Sequence, residues 1–324
     1  MTKRKPTVKI GDEEIVIGEP IPMHLTRVLV EMYYDFQKTR VESSNRALMN
    51  SERNGISKDD LKKYGVDSIY TKAKSFEEDI KKLLEKDLQY KPLYTEYLKF
   101  VTGMGAVLTA GAMAYIGDIK RFPKISSLWQ YCGYGANTIC EECSTDKKKF
   151  WTYVEVEYTN QEGGKKKVKR LKSMQKCNEC GHPTKPERQT AVAGYQSNWN
   201  TKIKTHFYKC AKQFVRYSEN TKANSRYRNL YDEYKLEERR KNPEKIKVDN
   251  KTKYNDGHID NRTLRKIAKL LLSHIWLIWR IQEKLPFSKP YGAKEENHNV
   301  IWPFIDKESD DFDKLLRQLK KELE

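Results

Sequence analysis

Apolar residues change their spacing several times along the chain, and each change predicts a new element. Residues 7–17, TVKIGDEEIVI, alternate around a Gly11-Asp12 turn, the pattern of a small β-hairpin within residues 1–20. From Pro22 the spacing becomes three and four. Leu25, Leu29, Met32, Tyr33 and Phe36 share one stripe, Pro22 suits a first helical turn, and the helix is expected to reach about Ser51. A second helix after Asp67 and Ser68 puts Ala73, Phe76, Ile80, Leu83, Leu84 and Leu88 on one face. Joined through a loop that holds Gly55 and Gly65, residues 21–95 read as an antiparallel helical hairpin, either a plain helical subdomain or a dimerising coiled coil.

Residues 96–137 and 194–290 are expected to form one mainly helical core. In the first piece a helix ends near Thr102, Gly103-Met104-Gly105 turns tightly, and a helix rich in Ala and Gly follows, which is a helix-hairpin-helix pattern. Glycines at such a turn let backbone N–H groups approach a phosphate that a Cβ would keep away. The GDIKRF run behind it offers Lys120 and Arg121 as further contacts, and a simple tight connection is the plainer reading. The second piece contains two helices with polar starts, one from Asn198 and one from Asp260. In the latter, Leu264, Ile267, Leu271, His274, Ile275 and Ile278 form a buried side, with His274 a core histidine rather than a ligand. Arg262, Arg265, Lys266 and Lys269 fall in what reads as its first turns, with Asp260 as the cap. Cations there oppose the helix dipole, so an anion docked at that end would explain them. Between these helices, Ser218 to Gly257 reads as a helix over Arg228–Arg240 followed by a flexible loop. Residues 291–324 form a tail with an amphipathic helix from Asp310.

The sharpest chemical signal lies in residues 138–193. Cys140-x-x-Cys143 and Cys177-x-x-Cys180 put two thiols on each of two turns, the ligand set of a structural Zn2+ ion. Between the pairs, Phe150–Thr159 alternates like a strand, Glu162-Gly163-Gly164 turns, and Lys165–Lys172 returns, so the insertion reads as a zinc ribbon. Lys165, Lys166, Lys167, Lys169 and Arg170 make its return strand a candidate phosphate contact. Cys132 and Cys210 are left over as buried thiols, and His182 stands beside the second pair as a possible substitute ligand.

Charge narrows the choice of partner. The chain has 63 Lys and Arg against 45 Asp and Glu, a net charge of +18. Residues 191–290 alone hold 23 basic against 10 acidic side chains. Such a field favours polyphosphate partners, nucleic acid first among them. No run of 18 apolar residues predicts a membrane span, and Asp12, Glu13 and Glu14 interrupt any signal peptide. The protein is therefore expected in the cytoplasm of a prokaryotic or virus-infected cell. No convergent carboxylates, His-rich nuclease site or Walker loop can be read, and Ser197 is the one placed hydroxyl candidate, so binding without catalysis is expected.

Two stretches carry a resemblance. Val101–Gly135, VTGMGAVLTAGAMAYIGDIKRFPKISSLWQYCGYG, resembles the transposase domain of the bridge-RNA-guided insertion-sequence family, and Asn261–Leu272, NRTLRKIAKLLL, is similar to that domain's closing basic helix. The family's upstream RuvC-like carboxylates have no counterpart here, and its serine is matched only approximately, by Ser197. A long helical hairpin ahead of such a core also resembles the Nop domain of box C/D guide-RNA particles. Together they make the chain most similar to the Tas proteins encoded beside tandem interspaced guide RNA (TIGR) arrays, in the form lacking an attached nuclease. That resemblance implies a Nop-like core, a homodimer paired through its coiled coil, and a ribonucleoprotein that recognises DNA by guide-RNA base pairing. It implies RNA contacts at Gly103, Gly105, Lys120, Arg121, Arg262, Arg265 and Lys266. A serine-using recombinase and an RNA-independent zinc-ribbon DNA-binding protein of a mobile element are the alternatives.

Overall fold

A computed structural model of the chain describes residues 7–11, 13–145, 148–159, 164–216, 225–244, 246–248, 251–253, 255–288 and 301–323. It is mainly helical with a few small sheets. The chain divides into two compact units, Met1–Gly117 with Ile305–Lys314, and Asp118–Phe304 with Leu315–Glu324. The division at Gly117 falls inside the segment 96–137 that the sequence assigns to a single core.

In the first unit, β1 (Thr7–Ile10) and β2 (Glu13–Val16) form an antiparallel hairpin, and Val8 and Ile17 pack on Leu83. Helix α1 (Met23–Asn54) is followed by the short α2 (Lys58–Lys63), started by a Ser57–Asp60 capping box, and by α3 (Val66–Asp87). α1 and α3 run antiparallel, with Phe36 stacked on Phe76 at 4.9 Å and Arg40 donating to Glu77 at 2.5 Å. The buried row of α1 includes Thr26, Val30 and Ala47, whereas Leu25, Val28 and Met32 are exposed. The apolar stripe that the sequence suggests is therefore turned by about one residue from the inward face. Asp87 closes the hairpin's end by accepting from the Ile21 N–H at 2.7 Å, and its burial pushes its carboxyl up. Residues Leu88–Phe100 are a series of tight and wide helical turns rather than one helix. Their Leu93, Tyr97 and Leu98 are buried, and Tyr97 stacks on Phe312 at 5.5 Å. The small-residue helix α4 (Ala106–Ile116) is buried almost throughout.

The second unit is built on α8 (Asp256–Gln282), preceded by α5 (Ile125–Tyr131), α6 (Thr201–Val215) and α7 (Arg226–Lys241), all packed against it. Leu264, Ile267, Leu271, Ile275, Trp276 and Ile278 of α8 are essentially inaccessible. Trp276 donates to the Phe122 carbonyl at 2.7 Å and Arg280 to the Ile119 and Phe122 carbonyls, which ties the GDIKRF segment to the far end of α8. His274 is buried as expected. Its Nε2 lies 2.9 Å from the Ile301 carbonyl, which can only accept, so Nε2 donates and Nδ1 accepts from the Tyr227 hydroxyl at 2.6 Å.

The insertion between α5 and α6 holds a three-stranded sheet, β4 (Lys148–Trp151), β3 (Ala136–Thr145) and β7 (Lys185–Arg188), and a separate ladder of β5 (Tyr153–Thr159) and β6 (Lys165–Leu171). Buried Thr152 breaks the single strand expected over Phe150–Thr159, because its hydroxyl bonds to Thr138 and to the Lys172 carbonyl. The Glu162-Gly163 turn lies outside the described residues, as do parts of the segments 218–257 and 291–324. Where a flexible loop is expected after α7, β8 (Ile246–Val248) and β9 (Lys251–Lys253) pair as a short ladder. Helix α9 (Asp310–Leu323) matches the expected tail helix. Among the described residues no helix is long and apolar enough to cross a membrane.

Candidate metal centre and cationic cavity

Strand β3 carries Cys140 and Cys143, and the turn before β7 carries Cys177 and Cys180. The four sulfur atoms lie within 4.8 Å of one another, with 3.5 Å between Cys140 and Cys180 and 3.9 Å between Cys143 and Cys177. A tetrahedral ion with metal–sulfur bonds of about 2.3 Å needs sulfur–sulfur edges of about 3.8 Å, so the set fits zinc in size and chemistry. A disulfide needs about 2.05 Å, and all six cysteines are free. The turn is shaped by its backbone: Cys177 N–H donates to the His182 carbonyl at 2.8 Å and Gly181 N–H to the Cys177 carbonyl at 3.0 Å. The His182 N–H lowers the Cys180 thiol to about 6, which favours the thiolate that a metal requires. His182 itself is not part of the cluster. Cys132 and Cys210 lie in the core, where burial pushes both thiols up.

A second constellation begins at the turn Cys132–Gly135. Gly133 has φ +75° and a Cβ there would stand 2.7 Å from Trp199 and 2.8 Å from Lys204, so only glycine fits. The turn is fastened by Gln189, fully buried, which accepts from the Gly135 N–H at 2.8 Å and donates to the Gln130 carbonyl and to Asn198. Asn198 in turn reaches Asn137 at 3.0 Å. Side chains from the ribbon and from the helical core thus share one buried polar network, which fixes the turn's carbonyls in place. Those carbonyls hold Arg265, which donates to Gly133 at 3.3 Å, Tyr134 at 2.9 Å and Gly135 at 3.1 Å.

Arg265 is the wall between two openings. On one side is a cavity of about 420 Å3 lined by Arg188, Lys204, Tyr208, His258, Arg262 and Arg265, among others. On the other is a shallower groove of about 730 Å3 that includes Trp129, Lys172, Asn198, Arg265 and Lys269. Neither is lined by an acidic side chain. Lys269 lies 4.0 Å from the Trp129 ring centroid and Lys204 4.9 Å from that of Trp199, so aromatic faces stand in for counter-ions. Burial, reinforced by Arg265 and Arg188, lowers Lys204 to about 8, and burial with Arg188 lowers Arg265 to about 10.

The structure redistributes the residues that the sequence singles out. α8 starts at Asp256 behind Asn255, whose side chain accepts from the His258 N–H at 2.8 Å. Asp260 is therefore not a cap; it accepts from Tyr231 and Lys235. Arg262, Arg265, Lys266 and Lys269 consequently sit in the second to fourth turns, beyond the reach of the helix dipole. Arg262 and Lys266 are paired with the nearly buried Glu238 at 2.6 and 2.8 Å. Lys120 is exposed, and Arg121 lies over the Phe122 and Tyr131 rings at 5.3 and 5.2 Å. Gly103 (φ +98°) and Gly105 belong to the first unit, not to the unit holding the cations. Their turn already has an internal anion, since Thr102 N–H donates to Asp306 at 2.7 Å, and a Cβ on Gly105 would meet nothing within 4 Å. On β6, Lys169 and Lys167 stand opposite Glu155 and Glu157, Lys165 pairs with Glu157 at 3.5 Å, and Arg170 donates to Gln196 at 2.8 Å; Lys166 is exposed beside Tyr158. The Ser197 hydroxyl has no hydrogen-bonded base among the described residues. Sequence reading passes over Arg188, Lys204, Lys172 and Trp129, because nothing in their spacing shows that the ribbon folds back onto α8. None of the protein-family models matches this chain, and no curated protein matches its sequence.

Proposed function

We propose that the protein is a zinc-stabilised RNA-binding protein that carries a guide RNA and targets DNA through the guide's base pairing, without cutting it. The observation that carries the reading is the cationic wall around Arg265, with a cavity on one side and a shallower, aromatic-edged groove on the other. Arginine forks and lysine stems supply phosphate contacts, and the half-buried Trp129 and the exposed Tyr208 supply rings for unstacked bases, the combination that suits a single strand better than a duplex. The guide itself, and the pairing of two copies, rest on the resemblance to the Tas proteins of TIGR systems. In such a pair, exposed Leu25, Val28 and Met32 of α1 are the surface offered. Zinc at Cys140, Cys143, Cys177 and Cys180 would hold the ribbon that delivers Lys172 and Arg188 to the wall.

The test is to isolate the protein from its native cell and sequence what is bound. Recovery of a discrete small RNA supports the guide reading, and its absence removes it. A second reading, duplex DNA binding without RNA, is favoured by the two-stranded β5–β6 ribbon with its exposed Lys166 and Lys167. It requires RNA-free protein to bind duplex with a steep salt dependence.

A further inference from the structure

The cavity on the Lys204 side of Arg265 differs from the groove on the other side in shape and in charge. It is the more enclosed of the two, and three elements bring cations to it: Arg188 from the end of β7, Lys204 from the first turn of α6, and Arg262 and Arg265 from α8. Arg262 is neutralised by Glu238, which does not line the cavity. Arg188, Lys204 and Arg265 have no carboxylate within ion-pair distance among the described residues. Burial first, and then the neighbouring like charges, lower the proton affinities of Lys204 and Arg265. Backbone carbonyls and an aromatic face hold Lys204 and Arg265, and an anion in the cavity would add the opposite charge that these partners lack.

The charge count says which anion. An internal phosphodiester carries one negative charge, whereas a phosphomonoester carries about −1.5 to −2 near neutral pH. Three cations without a carboxylate partner match the second. Being less open than the groove, the cavity also suits the end of a chain, and the more open groove beyond Arg265 provides for internal phosphates. Tyr208 stands at this cavity, partly exposed, with its hydroxyl held by Asn261 Oδ1 at 3.1 Å, so its ring is a fixed platform for the terminal sugar and base.

We infer that this cavity is a terminal-phosphate pocket, which takes the phosphomonoester at the end of a bound RNA strand and so sets where the strand begins on the protein. The inference rests on the polynucleotide-binding reading above and adds the recognised chemical group. Three sources share that group: a 5′ end, a 3′ end and a free mononucleotide.

The experiment uses the full-length, zinc-loaded protein and one labelled oligoribonucleotide in three forms, with a 5′-phosphate, with a 3′-phosphate, and with hydroxyls at both ends. Fluorescence anisotropy gives each affinity, with adenosine monophosphate and inorganic phosphate as competitors. One phosphorylated form is expected to bind at least about tenfold more tightly than the hydroxyl form, and which one identifies the end. In Lys204→Met and in Arg188→Gln, checked for folding by circular dichroism and for unchanged zinc content, that ratio is expected to fall towards one. Equal affinities for the three forms would overturn the pocket while leaving polynucleotide binding intact. Competition by the mononucleotide without preference among the oligonucleotides overturns it too. Failure of all three forms to bind removes the polynucleotide reading and the pocket with it.

Discussion

Arg265 grips Tyr134 from two directions, donating to its carbonyl at 2.9 Å while the guanidinium lies 5.4 Å from its ring centroid. One side chain is thus both a strut under the Gly133–Gly135 turn and the wall of two openings that no acidic side chain lines. The planar fork makes this possible, since a lysine ammonium cannot reach three carbonyls spread along a turn while lying over a ring. Arg265→Lys is therefore expected to keep the charge and lose the strut, lowering stability by about 1–3 kcal/mol. Chemical denaturation measures the loss, and an unchanged midpoint would show that the turn does not depend on the fork.

Glu238 holds two of the basic side chains that the sequence assigns to RNA. Burial alone would raise its carboxyl, yet the bonds from Lys266 and Arg262 prevail and hold it below the ordinary value. The two cations share this one carboxylate, and Lys266 also pairs with Glu237 at 3.4 Å. Glu238→Gln keeps the shape and removes the charge between them. Tighter binding of single-stranded RNA is expected, with a salt slope steeper by up to about 0.7, one further phosphate contact, because Lys266 keeps Glu237 as a partner. Weaker binding in this variant would mean that Arg262 and Lys266 serve the fold alone.

What can be read in the sequence, and what cannot, follows from the range of the interactions. The α1–α3 hairpin, the four-cysteine cluster, the buried His274 and the tail helix are each specified by spacing within one or two segments, and each is present. The start of α8 differs from the sequence expectation because Asn255, five residues before Asp260, turns its side chain back onto the His258 N–H and starts the helix earlier. The cationic wall is invisible in the sequence because Arg188 and Lys204 meet Arg265 only through the Gln189–Asn198–Asn137 network, built from amides that carry no periodic signal. Glu238 escapes a sequence reading for the same reason, as its pairing with α8 crosses from another helix.

Lys204 gives the cavity a pH dependence. Its folded-state value, lowered to about 8 by burial and by Arg265 and Arg188, lies below that of an unfolded lysine. The unfolded chain therefore binds more protons between about pH 8 and 10.5, and this group's contribution to stability rises with pH across that window. Anion binding runs the other way, because Lys204 loses its charge as pH rises through about 8. Affinity for a phosphorylated oligonucleotide is expected to drop between about pH 7 and 9, with the drop flattened in Lys204→Arg, where the charge persists. A pH profile identical in wild type and variant would assign the effect elsewhere.

His274 acts on stability in the acid range. Burial lowers its pKa to about 4 despite the Ile301 carbonyl, and Arg226 adds to the effect. Because the folded value lies below the unfolded one of about 6.5, the stabilisation is complete above about pH 6.5 and is lost as pH falls towards about 4, a difference of roughly 3 kcal/mol. His274→Gln is expected to be less stable than wild type at about pH 7, with the gap closing by about pH 4.5. Comparing the two proteins at each pH cancels the acid sensitivity of the thiolates, which both share. A gap that stays constant with pH would place the effect in packing.

A metal held by the four cysteines would link the ribbon's folding to the cavity's charge. Four sulfur atoms, with pairs at 3.5 and 3.9 Å, lose their common tie when the cation is removed, and Cys140 and Cys143 take up protons instead, so removing zinc is expected to loosen the turn that connects Cys177 and Cys180 to β7. β7 ends in Arg188, and Gln189 next to it locks the Gly133–Gly135 turn. Cys177→Ser, or chelation, is therefore expected to release about one zinc per chain and to weaken RNA binding, although none of the four cysteines lines the cavity. Cys132→Ser provides the contrast, since that thiol is buried outside the cluster, and it is expected to retain zinc and to lose some stability by burying a hydroxyl where a thiol packs. Metal content by inductively coupled plasma mass spectrometry and RNA affinity, measured on the same preparations, decide the coupling. Loss of zinc with affinity unchanged would separate the ribbon from the binding wall.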